Sequence, residues 1–231
     1  MIYYGIDWTY IVLVLPAVLF AMIAQFMVTS TFSKYGKVFC TRGVTGFAAA
    51  RMILDANGLQ NVRIERISGK LTDHYDPKSN CVRLSESVYD SFSVASVGVA
   101  AHEAGHAVQH ATGYVPIKIR MAIIPVTNIG SSLAFPLVIL GIALSYSFLA
   151  YIGVALFGFA VVFQLMTLPV EFNASRRAMA ELTNRGVLDS NELKGSRKVL
   201  TAAALTYVAA LAVSLGNFLR LLVLANRTKK R

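Results

Sequence analysis

Polar and apolar positions fall in long blocks along this chain, and the block lengths set the scale of its elements. Residues 10–28 form a charge-free run, long enough at about 1.5 Å per residue to cross a hydrocarbon core of roughly 30 Å. Residues 121–170 are a second run without one Asp, Glu, Lys or Arg. This is room for two spans, and Ser145, Tyr146 and Ser147 supply a polar turn between them, so the pattern predicts antiparallel helices over 123–144 and 148–170. Pro125, Pro136 and Pro169 fall where they would kink these helices, which membrane helices tolerate. Residues 199–225 form a last apolar helix, interrupted by Asn217 and Arg220.

The water-facing part lies between the first two blocks. Residues 45–57 carry Phe47, Ala50 and Leu54 on one side of a helix closed by Gly58. Over 61–68, Val62 and Ile64 alternate with Arg63 and Glu65, a strand pattern. Two further short strands, 71–75 and 81–85, flank the turn residues Asp76 to Asn80 and predict a hairpin. Residues 93–111, rich in alanine and valine, read as one helix, started by Ser91 or Ser93 and stopped by Gly113, with Pro116 beyond. The expected organisation is an anchor (1–32), a water-facing region (33–120), a membrane hairpin (121–170), a short helical region (171–198) and a C-terminal apolar helix with a basic tail (199–231).

Composition agrees with this reading and narrows it. The chain is 55% hydrophobic and 15% charged, with a mean hydropathy of +0.57, values of a membrane protein. The net charge of +10 invites a nucleic-acid reading. Yet no basic stretch interleaves aromatics, and the cations flank apolar segments, so no nucleic-acid partner is expected and the bilayer is. Lys34, Lys37 and Arg42 follow the first apolar run while Asp7 precedes it, which describes an uncleaved anchor with its N-terminus outside. Lys118, Arg120, Arg176 and Arg177 then place the polar region on the cytoplasmic side. A spanning last helix would leave a tail of four cations outside, against that rule, so it either strains the orientation or bends back beside the polar region. Cys40 and Cys81 give neither a zinc-knuckle spacing nor a disulfide framework.

Chemistry concentrates on the helix over 93–111. Three of the four histidines, His102, His106 and His110, share one face of it, and His102-Glu103-x-x-His106 puts two imidazoles one turn apart, able to grip a single ion. Glu103 beside them can take a proton from water activated by that ion, as in zinc proteases. A short pattern of this kind also arises by chance in helices. Against that, buried imidazoles and a buried carboxylate without a partner would cost several kcal/mol, which a metal offsets.

A catalytic zinc with two histidines needs a third protein ligand and an open position. Because the membrane hairpin goes out and returns, Glu171 emerges on the face where the histidine helix ends, as the first charge of what reads as a new helix. Two readings stand for it: third ligand, or a carboxylate favoured by the helix dipole.

Taken together, Ala101 to Ala107, the upstream Leu71-Thr72-Asp73-His74-Tyr75-Asp76-Pro77, and Glu171-Phe172-Asn173-Ala174-Ser175-Arg176-Arg177 resemble the YugP-type neutral zinc metallopeptidases of bacterial membranes, over essentially the whole chain. More distantly, the plan is similar to the HtpX and CAAX-prenyl membrane proteases. The resemblance implies a mainly α membrane protein with three to four transmembrane helices, a gluzincin-like zinc helix and a small β-hairpin or sheet. It implies Zn2+ on His102, His106 and Glu171, with Glu103 as general base. One departure stands out: the distant relatives tend to carry Asp four residues after the ligand glutamate, where this chain has Ser175, so no carboxylate orienting a ligand histidine is identified.

Three further residues are candidates for contact with substrate or transition state. His110 continues the ligand face and reads as a supporting or core histidine. His74, in the hairpin, reads as an oxyanion or substrate contact or as a surface histidine. Tyr207 reads as an oxyanion donor or an interfacial anchor. The expected function is a membrane-embedded zinc endopeptidase of the bacterial inner membrane, multi-pass, with its site facing the cytoplasm and membrane-associated polypeptides as substrates. An edge strand of the hairpin could pair with an extended substrate. The competing class is a non-catalytic metal-binding transporter or sensor subunit. It would require mid-bilayer charges or an internal repeat, and residues 121–170 offer neither. Substrate identity and oligomeric state leave no signal in the sequence.

Overall fold

The computed structural model describes residues 8–229; Asp7, Lys230 and Arg231, used above in the charge argument, lie outside the described residues. Eight helices and three strands follow in the order α1 (Trp8–Leu13), α2 (Leu15–Tyr35), α3 (Gly46–Ala56), β1 (Arg63–Ile67), β2 (His74–Asp76), β3 (Cys81–Ser85), α4 (Glu86–Tyr89), α5 (Val94–Ala111), α6 (Val115–Ala143), α7 (Ser147–Asn184) and α8 (Ser190–Lys229). Four helices are long and apolar enough to cross a bilayer: Leu15–Tyr35, Val115–Ala143, Ser147–Asn184 and Ser190–Thr228. The protein is therefore a mainly α, multi-pass membrane protein with a small sheet.

Two compact units are assembled from interleaved stretches of chain. Among the described residues, one holds 8–24, Ile119–Leu168 and 206–229. Pro16 lacks the N–H that would continue the ladder, and the helix divides at Val14 into α1 and α2. The turn between α6 and α7 closes with Tyr146 N–H donating to Gly141 O at 2.8 Å, and Ser145 adopts a φ of +54°. Small residues let the two helices touch: a Cβ at Gly130 would sit 3.0 Å from Leu156 O, the close backbone approach on which membrane helix pairs rely. The polar interruptions of α8 are accommodated locally, with Asn217 Nδ2 donating to Val213 O at 3.0 Å and the Arg220 guanidinium 5.5 Å from the Tyr10 ring.

The second unit holds Gln25–Lys118 and Pro169–Leu205. Its sheet has the order β1-β3-β2, with β1 parallel and β2 antiparallel to β3. The β2–β3 hairpin turns at Asp76, whose carboxylate accepts from Lys78 N, Ser79 Oγ and Arg83 Nη1 at 2.9, 2.7 and 2.9 Å. The strand expected over 71–75 is shorter than the pattern suggests and begins at His74. Leu71 sits at a φ of +56° and Asp73 is drawn away to accept from Ser85 N–H at 2.7 Å, so neither joins the ladder. β3 is the central strand and is buried nearly throughout.

Helix α5 runs through the middle of this unit. Ser93 caps its start by accepting from Ser96 N–H. Val94, Val97, Ala100, Ala101, Ala104, Ala107 and Val108 pack into one core with Ile53 and Leu54 of α3, Val82 and Leu84 of β3, Leu182 of α7 and Leu200 of α8. After Gly113, at a φ of +65°, the chain enters α6 almost at once, so Pro116 lies in the first turn of a new helix, where a missing N–H costs nothing.

Several helix boundaries depart from the pattern reading: α2 runs on to Tyr35, past 28, and α6 begins at Val115, ahead of 123. No new helix opens at Glu171; α7 runs from Ser147 to Asn184 through Pro169 without a break. The onset of charge there marks a change of surroundings, and the backbone keeps its helical course. Helix α8 starts at Ser190, well before the apolar run. Asp189 Oδ1 accepts from the N–H groups of Asn191 and Glu192, and Glu192 Oε2 accepts from Asp189 N–H, a reciprocal cap that nucleates the helix in polar sequence.

Candidate metal centre

The only His, Cys, Asp and Glu group among the described residues able to hold a metal is His102, His106 and Glu171. One helical turn separates the two histidines on α5, and their Nε2 atoms lie 3.1 Å apart. Glu171 Oε2 completes a triangle, 3.2 Å from His102 Nε2 and 3.4 Å from His106 Nε2. Ligand atoms about 2.0–2.1 Å from a tetrahedral zinc stand roughly 3.3 Å from each other, so all three edges fit that ion. Two neutral imidazoles would bring lone pairs together at this distance; a cation, or a shared proton, removes the conflict.

The approach of α7 that brings Glu171 here depends on the residue just before the second histidine. A Cβ at Gly105 would meet Ala174 O at 2.8 Å, so any larger side chain would push the two helices apart. Glu171 is 3% exposed, and the two histidine side chains are 13% and 12% exposed, so the three groups are largely withdrawn from solvent.

Each histidine is held by its other nitrogen. Gln109 Oε1 lies 3.0 Å from His106 Nδ1, while Gln109 Nε2 donates to Val170 O at 2.7 Å and Asn173 Oδ1 at 3.0 Å. Those two acceptors fix the direction of the amide, so its oxygen faces the ring and His106 Nδ1 must be the donor. The Nε2 lone pair then points at the triangle. Ser175 Oγ lies 3.1 Å from His102 Nδ1, the position left open by the missing acidic residue. Neither Gln109 nor Ser175 was singled out as a histidine partner from sequence. Gln109 did leave a trace, as a polar residue three positions after His106.

The electrostatics favour positive charge in the triangle. Burial disfavours a protonated His106, yet hydrogen bonding and attraction from Glu171 outweigh it and leave its pKa raised. Burial also pushes the Glu103 carboxyl up, against the pull of His102 and His106, and Glu171 and Asp73 add to the rise. Asp73 itself is held up by burial while it accepts from Ser85 N and Oγ.

The remaining candidates are not members of the group of three. His110 is exposed at the end of α5, its ring 6.0 Å from that of Tyr75 on β2. His74 is exposed, with Nδ1 2.8 Å from Thr72 O. Tyr207 is half-buried on α8 in the other unit. Beside the site, a groove of about 610 Å3 runs between α7 and α8, lined among others by Phe172, Ser175, Arg176, Met179, Arg197 and Leu200. Ser175 thus contacts both this groove and His102.

A family described as "Putative neutral zinc metallopeptidase" matches residues 10–226 of this chain. The chain is also 48% identical over 215 residues to the "Putative membrane protease YugP" of Bacillus subtilis (strain 168), covering 93% of this chain and 96% of that relative. No solved structure matches it. With near-complete coverage of both chains, on a fold that pairs four apolar helices with a two-histidine, one-glutamate cluster, the protein belongs to the neutral zinc metallopeptidase family.

Proposed function

We propose that this protein is a zinc endopeptidase of the bacterial inner membrane, with His102, His106 and Glu171 holding the metal and Glu103 acting as general base. The observation that carries this reading is the triangle of ligand atoms, 3.1–3.4 Å on each edge, in a chain of a zinc metallopeptidase family. When bound, the zinc supplies the Lewis acidity that makes water nucleophilic at neutral pH and polarises the scissile carbonyl. Glu103 accepts the proton of the attacking water and returns it to the leaving amine. Burial raises the affinity of its carboxyl for that proton, the direction a general base needs. Gln109 and Ser175 keep the imidazoles turned toward the metal.

Substrate is held along β2, an edge strand whose outer side is not paired within the sheet. Main-chain pairing there would leave cleavage tolerant of sequence, while the groove past Ser175 takes one side chain of the substrate. Substrates are membrane-associated polypeptides, and the site faces the cytoplasm. Lys34, Lys37, Arg42, Lys118, Arg176 and Arg177 are the cations that support this orientation.

The test uses the purified full chain. Wild type should carry about one zinc per chain and hydrolyse an unfolded protein substrate. Glu103→Gln should keep the zinc and lose hydrolysis, and Glu171→Ala should lose both. Full activity of Glu103→Gln would overturn the mechanism; unchanged zinc affinity in Glu171→Ala would remove Glu171 from the ligand set. Zinc binding in a wild-type protein without hydrolysis of any polypeptide would favour the non-catalytic metal-binding class.

A further inference from the structure

A second groove, of about 490 Å3, lies between the C-terminal end of α2 and the N-terminal part of α8. Its lining follows helical periodicity. Met27, Thr31 and Lys34 repeat along one face of α2, and Lys194, Arg197, Lys198, Thr201, Ala202 and Leu205 along one face of α8. The two helices run in opposite directions. They meet at their polar ends, where a Cβ on Gly195 would sit 2.8 Å from the Tyr35 ring. Lys34 and Tyr35 therefore stand beside Lys194, and Met27 lies toward Leu205.

The groove is consequently graded along its length. Lys34, Lys194, Arg197 and Lys198 line one end and no acidic residue lines any part of it. None of these four has an ion-pair partner among the described residues, and all four are exposed. Thr31 and Thr201 follow, and then Met27, Ala202 and Leu205, which lie farther into the apolar lengths of α2 and α8 that qualify as membrane spans. A cationic mouth leading to an apolar trough between two spanning helices fits a molecule with an anionic head and a hydrocarbon tail.

We propose that this groove binds an anionic phospholipid, its phosphate among Lys34, Lys194, Arg197 and Lys198 and an acyl chain along Met27, Ala202 and Leu205. Four cations converging on one end supply more attraction than a membrane-flanking lysine scattered singly, since each contributes separately to holding an anionic headgroup. Arg197 and Thr201 also line the groove beside Ser175, so the lipid site and the metal-side groove share two side chains.

Native mass spectrometry of the full chain in detergent tests this, with phosphatidylglycerol, phosphatidylcholine or inorganic phosphate added. Wild type should retain phosphatidylglycerol in preference to phosphatidylcholine. Lys194→Gln/Lys198→Gln should bind phosphatidylglycerol about tenfold more weakly or less still, with phosphatidylcholine adducts unchanged. Lys70→Gln/Lys78→Gln removes the same charge from exposed positions in and near the β2–β3 region and should leave both unchanged. Both pairs are surface lysines, and thermal unfolding without lipid should be the same in all three proteins. Equal loss in the control pair, undiminished binding in Lys194→Gln/Lys198→Gln, or displacement of the lipid by millimolar phosphate would each overturn the proposal.

Discussion

Gln109 holds His106 from behind: its Oε1 lies 3.0 Å from Nδ1 while its amide hydrogens are spent on Val170 O and Asn173 Oδ1 of α7. One carboxamide therefore sets the His106 tautomer and ties α5 to α7. Gln109→Ala should lower zinc affinity about 10- to 100-fold, the usual cost of losing such a partner. Competition with a chelator measures it, and an unchanged affinity would show that His106 needs no such support.

Gly105 makes a sharper prediction because it carries no side chain. Gly105→Val should separate α5 from α7 at Ala174 and so draw Glu171 away from the histidines. Zinc content should fall and activity with it, although no ligand has been altered. Gly58→Ala, where a Cβ meets nothing but the φ of +73° is unfavourable, should cost about 1 kcal/mol of stability without affecting zinc.

The raised pKa of His106 gives zinc binding a pH dependence of known sign. Below that pKa the ring carries a proton that zinc must displace; above it the lone pair is free. Affinity measured by titration in a metal buffer should rise with pH through a midpoint above the ordinary histidine value near 6.5, then level off. A midpoint below that value would contradict the cause assigned here, the hydrogen bond and charge of Glu171.

Orientation is open to a labelling experiment in a background without Cys40 and Cys81, both buried. Ser147→Cys, at the α6–α7 turn, should react with an impermeant thiol reagent added outside intact cells. Lys118→Cys and Arg176→Cys should react only after the membrane is opened. Reaction of these two from outside would reverse the orientation, and reaction of one from each side would separate His102 from Glu171 by a bilayer.

Much of this was legible in the chain because it was written in periodicities. The apolar runs marked the spans, and the spacing of His102 and His106 needed only one turn of helix. The parallel pairing of β1 with β3 left no local mark, since the residues between them read equally well as a simple meander. Nor could the strand pattern over 71–75 reveal that Asp73 would be drawn off by Ser85, a contact twelve positions away. Ser175 was visible as a departure from the acidic residue of distant relatives. That its hydroxyl stands at His102 Nδ1 could be seen only once α7 was laid against α5.

The unbroken course of α7 through Glu171 also bears on how the protein is made. Chains leave the ribosome N-terminus first, and Glu171 follows His102 by 69 positions that include α6 and the apolar length of α7, both long enough to cross a bilayer. With Glu171 as third ligand, a growing chain carries two histidines and a base but no finished metal site until its membrane hairpin is in place. On the proposed function, insertion then acts as the licence for activity, and a half-made copy carries no finished site.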